Sequence, residues 1–255
     1  LIKNTFIHID GIGKTIEEKL WKNKILTWSD FIDNYNNINI IPTNKKLHIL
    51  DNLNDSVKAL DEKDHIYFSE KLNKSFHYRL FNSFKNDCCF LDIETTGLSK
   101  YRNKITVIGL YNGNESKFFV NGKNLEEFKD EIKKYKMVVT FNGRAFDVPF
   151  IEEKLKIQLN HLHVDLRWVL KKLGYSHGLK FIEKQLNLAR DDDLQDIDGF
   201  QAIRLWKEYE KGNMNSLKLL LKYNRADIEN LEPLCQFAYN KMKAEEINNI
   251  IGDFL

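Results

Sequence analysis

Proline and glycine are scarce: three prolines and twelve glycines in 255 residues exclude collagen-like, proline-rich and linker-dominated chains. There are three cysteines, Cys88, Cys89 and Cys235. An odd count that includes an adjacent pair does not make a disulfide framework, and reduced, buried thiols are the plain reading. No Cys-x2-Cys or Cys/His spacing marks a zinc site. Long apolar runs are missing too. Cys88-Cys89-Phe90-Leu91 meets the carboxylate of Asp92 at once, far short of a bilayer's width, so no membrane partner is expected. The first residues lack a charged-then-apolar signal layout, which predicts a cytoplasmic protein. Charge of one sign is also lacking. Lys plus Arg number 39 and Asp plus Glu 37, a net +2, too little to argue for nucleic acid by itself.

What is present supports a folded chain, with 42% hydrophobic and 30% charged residues. The length allows one large domain with a small appendage. We place the boundary near Asp87, with a helical region over 1–86 and a second domain over 87–255. Within the first, Ile9-Asp10-Gly11-Ile12-Gly13 precedes a helical run, Lys14 to Lys22. Thr27 or Ser29 then caps a second short helix. Apolar residues near helical spacing predict further helices over 43–53 and 64–86.

From residue 87 the pattern changes. Short apolar runs predict strands at Cys88–Glu94, Ile105–Tyr111, Lys117–Val120, Met137–Phe141 and Leu162–Leu166. Asn112-Gly113-Asn114 reads as a hairpin turn. A helix is expected over Leu125–Tyr135, and mostly helices from Phe146 onward. This order predicts an α/β fold with a mixed five-stranded sheet flanked by helices.

Three clusters carry chemistry. In Leu91-Asp92-Ile93-Glu94-Thr95-Thr96-Gly97-Leu98, strand alternation projects Asp92 and Glu94 to one face while Ile93 points to the other. Two such carboxylates repel, and a hard divalent cation resolves the conflict. Asn142-Gly143-Arg144-Ala145-Phe146-Asp147 follows a buried strand and opens a helix, so Asp147 can face Asp92 from a neighbouring strand end. In Tyr223-Asn224-Arg225-Ala226-Asp227, Tyr223 and Asp227 share a helix face at i, i+4. Each cluster alone also reads as ordinary surface or capping chemistry.

Together, in this order and spacing, they resemble the DEDD exonucleases, the DnaQ-like branch of the ribonuclease H-like superfamily, in its tyrosine subclass. His163-Val164-Asp165-Leu166, Gly178-Leu179-Lys180-Phe181-Ile182-Glu183 and Leu205-Trp206 add a resemblance to the YprB-like group. The resemblance covers residues 87–240. It implies a 3′–5′ exonuclease acting on DNA or RNA by a two-metal-ion mechanism and releasing 5′-nucleotides. Two divalent cations, Mg²⁺ or Mn²⁺, would be held by Asp92, Glu94, Asp147 and Asp227, with Asp92 bridging and Tyr223 positioning the attacking water. The partner would be a nucleic acid with a free 3′ end, single-stranded DNA being favoured. Thr95, Gly97, Leu98, Asn142, Arg144, Lys180 and Arg225 are candidate strand contacts. The segment around Gly11 and Gly13 (about 5–35) resembles a helix-hairpin-helix, whose bare N–H groups grip a phosphate. Two other readings are open: a non-catalytic nucleic-acid-binding module, and a ribonuclease H-type endonuclease.

Overall fold

The computed structural model describes residues 1–194 and 197–251. The chain forms two compact units, one of residues 1–85 and 239–255, the other of residues 86–238. The residues from Tyr239 on, the end of the long helix Met214–Ile251, thus group with the first unit and not with the second. No described helix is long and apolar enough to cross a membrane.

The first unit is helical. Gly13 caps the helix Lys14–Lys22, and Gly11 turns the chain with φ +80°. The segment ahead of Gly11 is not the first helix of a helix-hairpin-helix. It holds a single 3-10 turn, Ile2–Asn4, and then a run of turns. Buried Glu17 reaches back and accepts the backbone N–H groups of Phe6 and Ile7 at 2.7 and 3.3 Å, tying these turns to the helix Lys14–Lys22. Thr27 caps Trp28–Asn34 through a capping box with Asp30. The run over 64–86 is not one helix but His65–Lys71, a 3-10 stretch Lys74–Leu80 and a short turn Phe81–Phe84. Asn73 breaks it, because its side chain accepts from Ser75 N at 2.9 Å and so competes with the helical ladder. The helix from Thr43 runs on to Asp61, beyond its expected end.

The second unit is built on a mixed sheet of five strands: β1 (Cys88–Thr95), β2 (Ile105–Tyr111), β3 (Ser116–Val120), β4 (Met137–Thr140) and β5 (Leu162–Asp165). The spatial order is β3-β2-β1-β4-β5. β2 runs antiparallel to β1 and β3, while β4 runs parallel to β1 and β5. The segment after β3 is mainly 3-10 turns flanking Phe128–Glu131, not a single helix to Tyr135.

Alternation along β1 divides the core into two layers. Cys89, Leu91 and Ile93 join one cluster with Phe128, Phe150 and Leu155. The opposite layer holds Val107, Leu205, Trp206, Leu220 and Tyr223. Asp92 and Glu94 face that second layer, where the last helix lies. β1 pairs with β4 only over Cys88–Phe90, so its carboxylate-bearing end runs past its parallel neighbour. A register shift between Glu94 and Thr95 marks an irregularity in its pairing with β2, which resumes at Thr95 and Ile105.

Candidate active site

Three stretches far apart in sequence meet at the C-terminal end of β1. Asp92 is half-buried and Glu94 buried on one face of the strand. The helix Met214–Ile251 brings Asp227 to them, and oxygens of Asp92, Glu94 and Asp227 all lie within 4.8 Å of one another. Asp147 begins the helix Asp147–Leu155. It stands at the rim of this triad, with Oδ1 accepting the backbone N–H of Ile93 at 3.1 Å. All four carboxylates and Tyr223 line one cleft of about 470 Å³, together with Thr95, Gly97, Leu98, Phe141, Asn142, Phe146 and Phe200. An adjoining cavity of about 370 Å³ is shared by Asp92, Lys180, Tyr223 and Asp227.

Burial and mutual repulsion govern the electrostatics. Burial raises the Asp92 carboxyl well above its ordinary range, with Asp227, Asp147 and Glu94 adding to it. Glu94 is raised by burial and by Asp227. Asp147 is pushed up to about 7, chiefly by burial. Asp227 is raised by burial and partly relieved by Arg190. Glu94 Oε1 is buried without a hydrogen-bond partner among the described residues, which costs free energy unless something else fills the role. Oxygen-only donors, close spacing and an orphaned carboxylate oxygen fit a hard divalent cation such as Mg²⁺ or Mn²⁺.

A family model for the RNase H superfamily matches residues 89–239, more than half of the chain. The chain belongs to the RNase H superfamily. Among curated proteins it is 26% identical over 159 residues to an uncharacterized protein of Methanocaldococcus jannaschii, covering 54% of this chain and 88% of that one. Among solved structures it resembles the family B DNA polymerase of Pyrobaculum calidifontis, with a TM-score of 0.50 and 14% identity over 58% of this chain. The likeness spans 24% of the polymerase, about a quarter of its length, and shows the fold alone. NrnC of Brucella melitensis aligns with a TM-score of 0.47 and 18% identity, covering 65% of this chain and 78% of that one.

Around this RNase H core the expected strand contacts separate into two groups. Thr95, Gly97, Leu98, Asn142 and Lys180 come to the cleft or its neighbour. Thr95 Oγ1 donates to Gly97 O at 2.8 Å, and Gly97 has φ +154° with Asn103 where a Cβ would lie. That turn leaves Leu98 84% exposed at the cleft. Asn142, at φ +68°, accepts from the Arg167 guanidinium at 2.8 Å. Lys180 Nζ lies 5.0 Å above the Tyr223 ring and donates to Ile197 O. Arg144 and Arg225 do not reach the cleft. Arg144 turns its guanidinium to His163 O, while Asp165 accepts the N–H groups of Asn142 and Arg144 and pins their turn. Arg225 stacks over Phe118 at 5.3 Å, in a separate cavity. On the helix Met214–Ile251 it is two residues from both Tyr223 and Asp227, a spacing that puts it on another face.

Three residues of the site were not expected from sequence. Asn224, fully buried, donates to Asp92 Oδ2 at 2.9 Å. A Cβ on Gly109 would sit 1.9 Å from its Oδ1, and Gly109 is the register partner of Asp92. A glycine inside a strand is therefore the one available signal of this close approach. Phe200, 82% exposed in the first turn of Gly199–Glu210, reaches the cleft mouth. Arg190 donates to Asp227 Oδ1 at 2.5 Å from a stretch with no periodicity to read.

Proposed function

We propose that this protein is a metal-dependent nuclease, specifically a 3′–5′ exonuclease of the DEDD tyrosine subclass and YprB-like group, trimming DNA or RNA from a free 3′ end and releasing 5′-nucleotides. The observation that carries this reading is the triad of half-buried Asp92 with buried Glu94 and Asp227, whose oxygens lie within 4.8 Å of one another, with Glu94 Oε1 unpartnered among the described residues. Such a cluster is costly unless cations resolve it.

Asp92, Glu94 and Asp227 would hold the ions, with Asp147 completing their surroundings. Two divalent cations there would supply Lewis-acid activation of a water and charge stabilisation at the leaving oxygen. The chain's own groups do the rest. Burial, with Asp227, Glu94 and Asp92 nearby, raises the Tyr223 phenol, so it stays protonated and offers a donor to orient the water. Asn224 fixes one oxygen of Asp92 and leaves the other for a cation. Lys180, in the adjoining cavity, would face a phosphate of the strand. Leu98 and Phe200, exposed at the mouth, would meet unpaired bases, which favours single-stranded ends. Gly11, at a turn, and Gly13, at the N-cap of the helix Lys14–Lys22, would offer backbone N–H groups to a phosphate.

The test is an assay on 5′-labelled single strands, duplexes and RNA with Mg²⁺ or Mn²⁺ and a chelator control. The expected result is a ladder of shortening products that disappears with chelator. Asp92→Ala should remove cleavage, on the order of 10³-fold or more, while the variant stays folded. Internal cuts alone would favour an endonuclease. Binding without cleavage would favour a binding module, and normal turnover by Asp92→Ala would refute the site.

A further inference from the structure

We infer that Arg190 is the positioning residue for Asp227: it takes one carboxylate oxygen and so aims the other at Asp92 and Glu94. This rests on the ion-binding reading above and adds a supporting group to it. The geometry is a linear relay. Asn230 Nδ2 donates to Glu183 Oε1 at 3.1 Å. Both oxygens of Glu183, 1% exposed, receive Arg190, from Nε at 2.6 Å and Nη2 at 2.7 Å. Nη2 then also donates to Asp227 Oδ1 at 2.5 Å.

Two features argue that this arrangement serves the site and not packing alone. A buried ion pair adds little net stability compared with apolar residues of similar volume. Glu183 already supplies Arg190 with a two-pronged partner, so stability alone does not require the contact to Asp227. Arginine is also the residue whose rigid fork can serve both carboxylates at once; the point charge of lysine cannot hold that orientation. The guanidinium lies 5.8 Å above the Tyr223 ring as well, so the relay touches both residues of the third cluster. Groups that orient metal ligands in this way commonly set affinity and rate together.

The experiment measures Mn²⁺ binding to the metal-free full chain by titration calorimetry, alongside kcat and KM on a labelled strand. Arg190→Gln is expected to weaken Mn²⁺ binding about 10–100-fold and to lower kcat, with KM for the strand little changed. Arg190→Lys should recover part of the affinity. Arg190→Gln leaves buried Glu183 without its counter-charge and can unfold the chain. The double variant Arg190→Gln with Glu183→Gln removes both charges, keeps the fold by melting temperature, and should show the same weakened binding. Wild-type affinity in the folded double variant overturns the inference. Tighter Mn²⁺ binding overturns it too, since Arg190 would then be a competing cation. If the wild-type chain takes up no Mn²⁺, the ion reading itself falls and this inference falls with it. Uptake unchanged by the variants defeats this inference alone.

Discussion

In the first unit, buried Arg79 meets Glu17 at 3.1 Å and Glu246 at 3.0 Å. Thr5 accepts from its guanidinium, and Tyr78 donates to Glu246 at 2.6 Å. Glu17 also accepts two backbone N–H groups. In the second unit, four carboxylates crowd one cleft, with Arg190 the cation paired to one of them. Glu94 Oε1, Asn224 Oδ1 and Arg190 Nη1 are left there without hydrogen-bond partners among the described residues. The first network closes on itself, as a structural device must. The second is unbalanced in charge and incomplete in hydrogen bonding, a state that the proposed cations would relieve.

The sharpest way to break this comparison is to open each network in turn. Arg79→Ala leaves Glu17 buried without its counter-charge and should cost about 3–5 kcal/mol of stability, read by urea unfolding. The reverse is expected in the second unit, where Asp147→Asn removes a repelling charge yet keeps an oxygen for the Ile93 N–H. It should raise the melting temperature of the metal-free protein, at roughly 2–4 °C per kcal/mol gained. If both variants destabilise alike, the two networks are the same kind of object and the contrast is lost.

The pH dependence sharpens it further. Asp147 in the folded chain titrates at about 7, against an ordinary value of 3.8. Between those values the folded state holds a proton that the unfolded state has released. This contribution to the stability of the metal-free protein therefore falls as pH rises from about 4 to 7, while buried His8, lowered from 6.5 to about 4, acts in the opposite sense. Asp92, Glu94 and Asp227 are raised as well and act in the same direction as Asp147. Melting curves across this range check the sign, and added Mn²⁺ should recover stability at the neutral end. A wild-type profile parallel to that of Asp147→Asn, in which the His8 contribution is unchanged, would mean that the cluster is not strained.

Much of this was legible in the residues. Strand alternation fixed the shared face of Asp92 and Glu94, and the i, i+4 rule put Tyr223 and Asp227 together, because both depend only on local periodicity. The five strands were readable for the same reason, as apolar runs bounded by polar residues. The long helix read over 64–86 failed because spacing does not report the side-chain competition of Asn73. The same spacing logic could not separate Arg190, which pairs with Asp227 across 37 positions, from any solvated arginine. Arg144 and Arg225 show the converse. They adjoin the right motifs in sequence, but a turn pinned by Asp165 and the pitch of a helix direct them elsewhere. Gly109 was visible, but its meaning depended on knowing that Asn224 would pass over it.

The smallest expected effect concerns apolar surface. In the first unit Trp28, Phe31 and Phe68 are buried, whereas among the described residues the exposed large aromatics, Tyr101, Trp168, Phe181 and Phe200, all belong to the second. Phe200 stands apart from the other three because it lines the carboxylate cleft. Its exposure costs solvation that packing could have avoided, and stacking on an unpaired base would recover it. Base–aromatic stacking is worth about 1–3 kcal/mol, so Phe200→Ala should raise KM for a single-stranded end by roughly 5-fold or more while kcat and melting temperature hold. Trp168→Ala, equally a loss of exposed aromatic surface but away from the cleft, should leave KM alone. Equal responses from the two would show that Phe200 is ordinary surface, and that the strand is held by its phosphates only.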